Sequence, residues 1–466
     1  MAIVLPILRK VCNVSVMTCS LHVRTSFLAA LFLANASCGG DDSKSSEVQN
    51  QAPQFTSTNK VRVDDDTAGV IYAASASDPD NDRLTYSVIG GVDGGAFRIT
   101  GDGQLSFHEP ANYEAPADQN RDNVYHLKLQ VSDGRAAQAL DLEVNVQNTP
   151  VPTENLPPWT LLGQALWQGR DSAGEATLNG RKWIMGGWVS SFEPALRDVW
   201  SSTDGYTWRR DLIQAPWTHS DLPMSIAFNG RLWMMGGYDQ GRLPGATASS
   251  QVWSSPDGID WTAHADAPWS ARLGSAVVIH QEKMWIIGGL ERYFDGSDES
   301  LRNDVWTSTD GEDWTLVLRN APWSPRAFHN AVSLNGRIYV FGGGNYVPSF
   351  AQSNDVWSSA DGASWRRETA LAEWPPRIWA SATVHAGRMW LLGGYSRGDG
   401  KDPETVANLN DVWTSTDGAR WTLMQSPEIW SPRHEMSVWV SNNRIYLGAG
   451  YDGNKLQNDV WSLSLP

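Results

Sequence analysis

The text NDVWTSTDGEDWTLV at residues 303–317 is written again, nearly letter for letter, as NDVWSSADGASWRRE at 354–368 and as NDVWTSTDGARWTLM at 410–424. The Trp of this word recurs at 200, 253, 306, 357, 413 and 461, at intervals of 53, 53, 51, 56 and 48 residues. Each copy follows an apolar run that ends in glycines: RKWIMGG, RLWMMGG, KMWIIGG, RIYVFGG, RMWLLGG and, in the last, RIYLGAG. A period of this length constrains the fold more than composition does. A single unit cannot bury its own apolar face, so the copies must pack on one another.

The pattern resembles the kelch repeat, and the resemblance implies a six-bladed β-propeller over 159–466. A second Trp follows the word at 208, 261, 314, 365 and 421, but the sixth copy, DVWSLSLP, reaches Pro466 without one. The missing piece stands at the front, where Trp159 opens WTLL, a near copy of WTLV and WTLM. The strand 159–163 is therefore expected to complete the last blade and remove the open sheet edges. Inside the word, DG marks a tight turn: Gly tolerates positive φ and Asp accepts backbone N–H bonds. The paired tryptophans are expected to pack blade on blade, and the diglycine to let backbones approach closely. The S-T-D-G-x-x-W spelling also resembles the Asp box of sialidases, a structural motif there. The repeated text reads as architecture.

Residues 53–150 carry a different rhythm. Short alternating runs, VIYAASA, LTYSVIG, YHLKLQVS and ALDLEVNV, are punctuated by Gly, Asp and Asn, as in an antiparallel sandwich of about seven strands. The words APQF, SASDPDNDRLTYSVIGG, AFRI, PANYE and LQVSDG together resemble a cadherin repeat. That resemblance implies calcium held at the two ends of the domain, with Asp64, Asp78, Asp80, Glu114 and Asp133 as the matching acids. Ca²⁺ takes six to eight hard oxygens, and DPD offers two carboxylates on one loop. Asn145 and Asn148 stand where the family has Asp, which weakens the C-terminal end, so calcium is expected at Asp78, Asp80 and Asp133.

The first 37 residues hold no acid and three cations, Arg9, Lys10 and Arg24, so their loss takes the net charge from −16 to −19. An acidic chain of this kind suits neither nucleic acid nor an anionic membrane surface. SFLAALFLA, at 26–34, is an apolar block too short to span a bilayer and reads as a secretory signal over 1–37. NASC resembles a bacterial lipobox, which implies lipidation at Cys38, a membrane anchor, and a polar tether over 38–52. All three cysteines, Cys12, Cys19 and Cys38, lie in this region, so the domains beyond it have no disulfide and no thiolate chemistry.

Function is expected where loops vary. Arg170, Arg272, Arg326, Arg377 and Arg433 share one register ahead of the first strand of a repeat, with Ser220 in that slot of the second copy. Together with Trp188, Tyr238, Tyr395 and Tyr451 they suggest a ring at the propeller mouth that reads an anionic glycan or a protein, since guanidinium grips carboxylates bidentately and aromatics stack on sugars. The alternative is that each Arg ties loops together within the scaffold. No G-x-S-x-G, H-E-x-x-H or phosphate-cradling loop occurs. Galactose oxidase shares the kelch architecture, but its copper site uses a Tyr crosslinked to Cys, and this domain has no Cys. A sialic-acid-active enzyme is the second reading: a mutarotase would use an Arg such as Arg377 with Glu435, and a sialidase would draw its acid from Asp239, Asp295, Asp298 or Glu299. The first reading is a lipid-anchored surface protein in which a calcium-bound stalk over 53–150 and a linker over 151–158 present a binding propeller.

Overall fold

The computed structural model describes residues 49–465 apart from 66, 114–115, 191–192, 240–244, 294–299, 348 and 398–406. Residues 1–37, expected as a signal segment, and Cys38 lie outside the described residues. Within them the regular structure is strand, save one 3-10 turn at Gly94–Ala96.

The N-terminal domain is a sandwich. One sheet runs Lys60–Asp64, Ala137–Gln147, Val124–Ser132, Thr85–Gly90; a three-stranded sheet of Val70–Ala73, Gln104–Phe107 and Phe97–Ile99 completes it. VYHLKLQVS shows why: Tyr125, Leu127, Leu129 and Val131 alternate inward and are buried. Phe97, Phe107 and Tyr125 form the aromatic centre of the core, with Tyr125 edge-on to both phenyl rings. The expected antiparallel pattern has one exception. The first of these strands lies parallel to the last, Lys60 opposite Glu143 and Asp64 opposite Gln147. Nearly the whole domain intervenes between those two strands, which supplies the long connection that parallel pairing demands.

Six antiparallel blades follow. In blade three the strands, a to d from the axis outward, are Ala276–His280, Lys283–Leu290, Leu301–Ser308 and Trp314–Leu318. The a strands of the six blades begin at Gly174, Met224, Ala276, Asn330, Ser381 and Ser437. Each packs against the next, and the first packs against the sixth, so the ring is closed. As expected, the seal is N-terminal: Thr160–Gln164 pairs with Asp459–Ser464, Thr160 opposite Ser462, as strand d of blade six. The tryptophans give an independent check. In blades one to five the Trp that follows the DG turn meets, edge to face, a Trp leading into the same blade: 208 with 167, 261 with 217, 314 with 269, 365 with 323, 421 with 374. In blade six that place is taken by Trp159, 4.7 Å from Trp430 with the rings at 80°.

The stretch 151–158, expected as a linker, is built into the propeller. Thr153–Asn155 runs parallel to Thr422–Gln425 as a fifth strand on blade five. The Leu156 N–H donates to the Gln425 carbonyl at 2.7 Å, and its side chain is buried. The chain therefore crosses the outer edge of blade five before closing blade six.

The DG turn behaves as its letters require. In blade three Ser308 Oγ accepts the Gly311 N–H, Asp310 Oδ1 accepts those of Glu312 and Asp313, and Trp314 Nε1 donates to the Gly311 carbonyl. Gly311 has φ +88, and a Cβ there would lie 2.3 Å from the Trp233 ring of blade two. This glycine thus serves the turn and the blade interface at once.

Candidate functional site at the channel mouth

Each a strand is entered through a residue in the left-handed region. These are Ser172, Leu222, Gly274, Phe328, Trp379 and Glu435, with φ between 53 and 60°. The conformation turns each N–H sideways to the neighbouring blade. The N–H groups of Leu222, Gly274, Phe328, Trp379 and Glu435 donate to the carbonyls of Ser172, Leu222, Gly274, Phe328 and Trp379, at 3.0, 3.2, 2.8, 3.4 and 2.9 Å. A belt of backbone hydrogen bonds so runs round the mouth from blade one to blade six. Left-handed residues other than glycine cost of order 1 kcal/mol or more each, and such strain gathers at functional sites.

Inside the belt lies a cavity of about 220 Å³, lined by Ser172, Glu175, Ser225, Asn330, Ser381 and Glu435 among others. The volume is below the roughly 300 Å³ at which pockets for drug-sized ligands begin. The cavity is therefore sized for a small group, such as a side chain, an ion or a single small ring, and not for a drug-sized ligand. Glu175 keeps some contact with the channel, but the walls exclude most water and push its carboxyl up to about 8. His329, behind the wall, is held down to about 3, first by burial and then by the Arg326 cation, and is neutral.

The five arginines do not line this mouth. Arg170, Arg272, Arg326, Arg377 and Arg433 are all buried, each gripping the Asp of its own blade's DVW word: Asp198, Asp304, Asp355, Asp411 and Asp459, with closest N–O distances of 2.5 to 2.7 Å. Each Nη1 also donates to the carbonyl of the first residue of the glycine pair, Gly186, Gly288, Gly342, Gly393 or Ala449. The same carboxylates accept the indole N–H of the DVW tryptophans. Guanidinium, carboxylate and indole satisfy one another inside the blade, so none of these cations is available to a ligand, and Arg377 is equally unavailable to a sialic-acid chemistry.

Of the predicted aromatics, Tyr395 and Tyr451 meet at one imidazole, and Tyr238 belongs to the apolar cluster on which Tyr395 packs. The Trp188 backbone bridges Asp171 in blade one. Tyr238 is buried and packs on Tyr293, 6.3 Å between centroids. Tyr395 and Tyr451 flank His434 at 5.6 and 5.7 Å, and Trp379 stacks on the same imidazole at 5.0 Å and 23°. Tyr346 and Phe350 extend this cluster, with the Arg397 guanidinium 4.0 Å over the Phe350 ring. Asp171, His434 and Glu435 bring three buried donor atoms within 4.8 Å of one another across the seam of blades one and six. The acids Asp295, Asp298 and Glu299 lie outside the described residues, and Asp239 stands 4.0 Å from His219.

Sequence reading missed Asp171, Glu175 and Trp379, although a signal for two of them was present. The two residues after the Arg slot read DS, DL, LG, AF, IW and HE around the ring, while the letters on either side repeat. Variation inside a fixed register marks the mouth.

At the sandwich, Asp78, Asp80 and Asp133 gather at one end. Asp78 Oδ1 accepts the N–H groups of Asp80 and Asp82, Asp80 Oδ2 accepts that of Gln51, and Asp133 Oδ2 accepts the Asn50 amide at 3.0 Å. The Ala136 N–H, and next the Asn50 amide, hold the Asp133 carboxyl below its ordinary value. Asp64 is exposed at the far end of the sheet, opposite Gln147, and Glu114 lies outside the described residues.

Comparison with known proteins follows the same division. Residues 50–147 match the bacterial Ig domain, where the sequence words had suggested a cadherin repeat, and 274–466 match the KLHDC2/KLHL20/DRC7 Kelch-repeats domain. Similar proteins include a leucine-zipper-like transcriptional regulator 1 homolog of Drosophila melanogaster, 30% identical over 36% of this chain and 18% of that one. A flagellar outer-arm dynein alpha chain of Chlamydomonas reinhardtii is 29% identical over 46% and 5%, and human Kelch domain-containing protein 3 is 29% identical over 27% and 35%. The chain thus spans about a third or less of these relatives. It carries a bacterial Ig-type domain followed by a propeller of kelch-type repeats.

Proposed function

We propose that the propeller is a recognition head that takes a protein partner at its loop face, over the aromatic rim of blades four to six. The observation that carries this reading is the fate of the arginines. With all five locked into the blades, the mouth has a channel lined by the Glu175 and Glu435 carboxyls and a half-buried aromatic rim of Tyr346, Phe350, Tyr395 and Tyr451, in place of a cationic ring for anionic sugars. Aromatic side chains with a polar tip are the usual anchors of protein interfaces. The test sets candidate surface proteins beside a glycan array. A protein bound at micromolar strength or better, and at least tenfold more weakly by Tyr395→Ser with Tyr451→Ser, supports the reading. Glycan binding that ignores both tyrosines refutes it.

In the same reading the Ig-type domain is a calcium-stiffened stalk, and Cys38 carries the lipid that tethers it at a bacterial surface, in an adhesive role. Two orphaned buried atoms support the calcium: Asp78 Oδ2 and Asn50 Oδ1 have no hydrogen-bond partner. Hard oxygens left unsatisfied beside Asp80 and Asp133 suit this ion, which would draw the three carboxylates together. Calorimetry checks it: millimolar Ca²⁺ raises the unfolding temperature of the sandwich in the wild type and leaves Asp78→Asn unmoved.

A further inference from the structure

We propose that Asp171, His434 and Glu435 form a site for a zinc-class divalent ion that clasps blade one to blade six at the mouth. Among the described residues, this is the one place where three His or carboxylate donors converge within 4.8 Å, and all three side chains are buried. They come from opposite ends of the propeller sequence. His434 and Glu435 precede strand a of the last blade and Asp171 precedes that of the first, so the site exists only when the ring is closed.

The imidazole is set up for ligation. Asn408 Nδ2 donates to the Tyr451 carbonyl, which fixes its amide and presents Oδ1 to His434 Nδ1 at 2.6 Å. Nδ1 therefore carries the proton, and Nε2 is the nitrogen turned to the carboxylates, 4.0 Å from Glu435 Oε2. An outer partner that pins the tautomer and ring plane is what metal-binding histidines have, and its loss typically weakens binding about 10–100-fold. Trp379 stacked on one face of the ring, with Tyr395 and Tyr451 around it, holds the orientation further. Glu435 is kept in place by its left-handed backbone, φ +53, and by its N–H bond to the Trp379 carbonyl.

The donor set selects the ion. One imidazole with two carboxylates suits Zn²⁺ or Mn²⁺, whereas Ca²⁺ and Mg²⁺ prefer oxygen alone. Donors on bonds of about 2.0–2.2 Å stand about 3.3–3.6 Å apart in a tetrahedron, so the present separations of up to 4.8 Å shorten by about 1 Å on binding. Three protein ligands leave at least one coordination position for water or a further ligand.

The test uses the full chain, stripped with chelator and titrated with Zn²⁺, Mn²⁺ and Co²⁺ by calorimetry, with the visible d–d absorption of Co²⁺ as the signature of a nitrogen–oxygen site. One equivalent is expected to bind. His434→Gln and Asp171→Asn abolish it, Asn408→Leu weakens it about tenfold or more, and His264→Gln leaves it unchanged. Near-ultraviolet dichroism of the tryptophans shows which variants keep the fold, and Asn408→Leu, outside the donor set, keeps the test open if a donor variant fails to fold. No saturable binding by the wild type overturns the proposal. So does a Co²⁺ signal that folded Asp171→Asn and His434→Gln both retain.

Discussion

At the scale of single residues, the decisive exchange is between the arginine slot and the DVW aspartate. Five blades carry both partners; blade two has Ser220 in the first position and Gln251 in the second, and Gln251 Oε1 accepts the Trp253 indole in the carboxylate's place. Both charges vanish together because either one alone would be a buried ion without a counterion. Removing one member of such a pair typically costs about 3–5 kcal/mol. Arg326→Ser is therefore expected to lower stability by about that much in denaturant unfolding, and Arg326→Ser with Asp355→Gln, which copies blade two, to recover most of it. A double variant no more stable than the single one would show that the pairing is not what holds the slot. This relation was legible in the sequence, where Ser220 and Gln251 depart from the pattern in the same copy. The direction in which the arginines point was not, because a shared register is equally compatible with a ring of ligand-binding cations and with a ring of internal ties. Gly311 makes a second residue-scale case. Ala there places a Cβ against the Trp233 ring in a backbone region that side chains rarely adopt, and a loss of about 1–3 kcal/mol is expected in the same assay.

At the scale of elements, the inner strands carry the chemistry of the channel. The strand a pattern of blade one, GEATL, looks like ordinary alternation, and nothing in it announces that Glu175 faces a walled cavity. The position becomes informative only once six a strands converge on one axis. Its consequence is a pH dependence with a defined sign. The folded-state carboxyl titrates near 8, well above the unfolded value, so the folded chain binds the extra proton between the two. Stability is then highest below the unfolded value and falls as pH rises towards 8. Glu175→Gln removes the titration. Thermal unfolding from pH 5 to pH 8.5 is expected to show a decline for the wild type that is smaller by a few degrees in the variant. Parallel curves for the two proteins would mean that the channel solvates the carboxylate.

At the scale of the whole molecule, closure decides whether there is a domain at all. The repeat period, the missing sixth Trp and its copy at Trp159 were enough to read the seal from the sequence. The parallel strand Thr153–Asn155 on blade five was not, since a TEN tripeptide among prolines has no strand signature of its own. The two entry strands do different work. Thr153–Asn155 is exposed and adds to an edge that is already complete, whereas Trp159 and Thr160–Gln164 supply a buried indole and the fourth strand of blade six. The Glu109–Arg367 ion pair between sandwich and propeller is largely exposed and itself adds little. Chains beginning at residue 151 are therefore expected to fold as the intact propeller does, with the same cooperative transition. Chains beginning at residue 166 lose the Trp159–Trp430 contact and leave Asp459–Ser464 as a bare edge, and are expected to aggregate or to melt at least about 10 °C lower, since deleting a buried Trp alone costs about 3–5 kcal/mol. Adding back a peptide of residues 151–166 distinguishes a missing strand from general damage: it restores the transition if the front of the chain acts only as the last strand of the ring, and its failure to do so would mean that blade six must be closed from within the chain during folding.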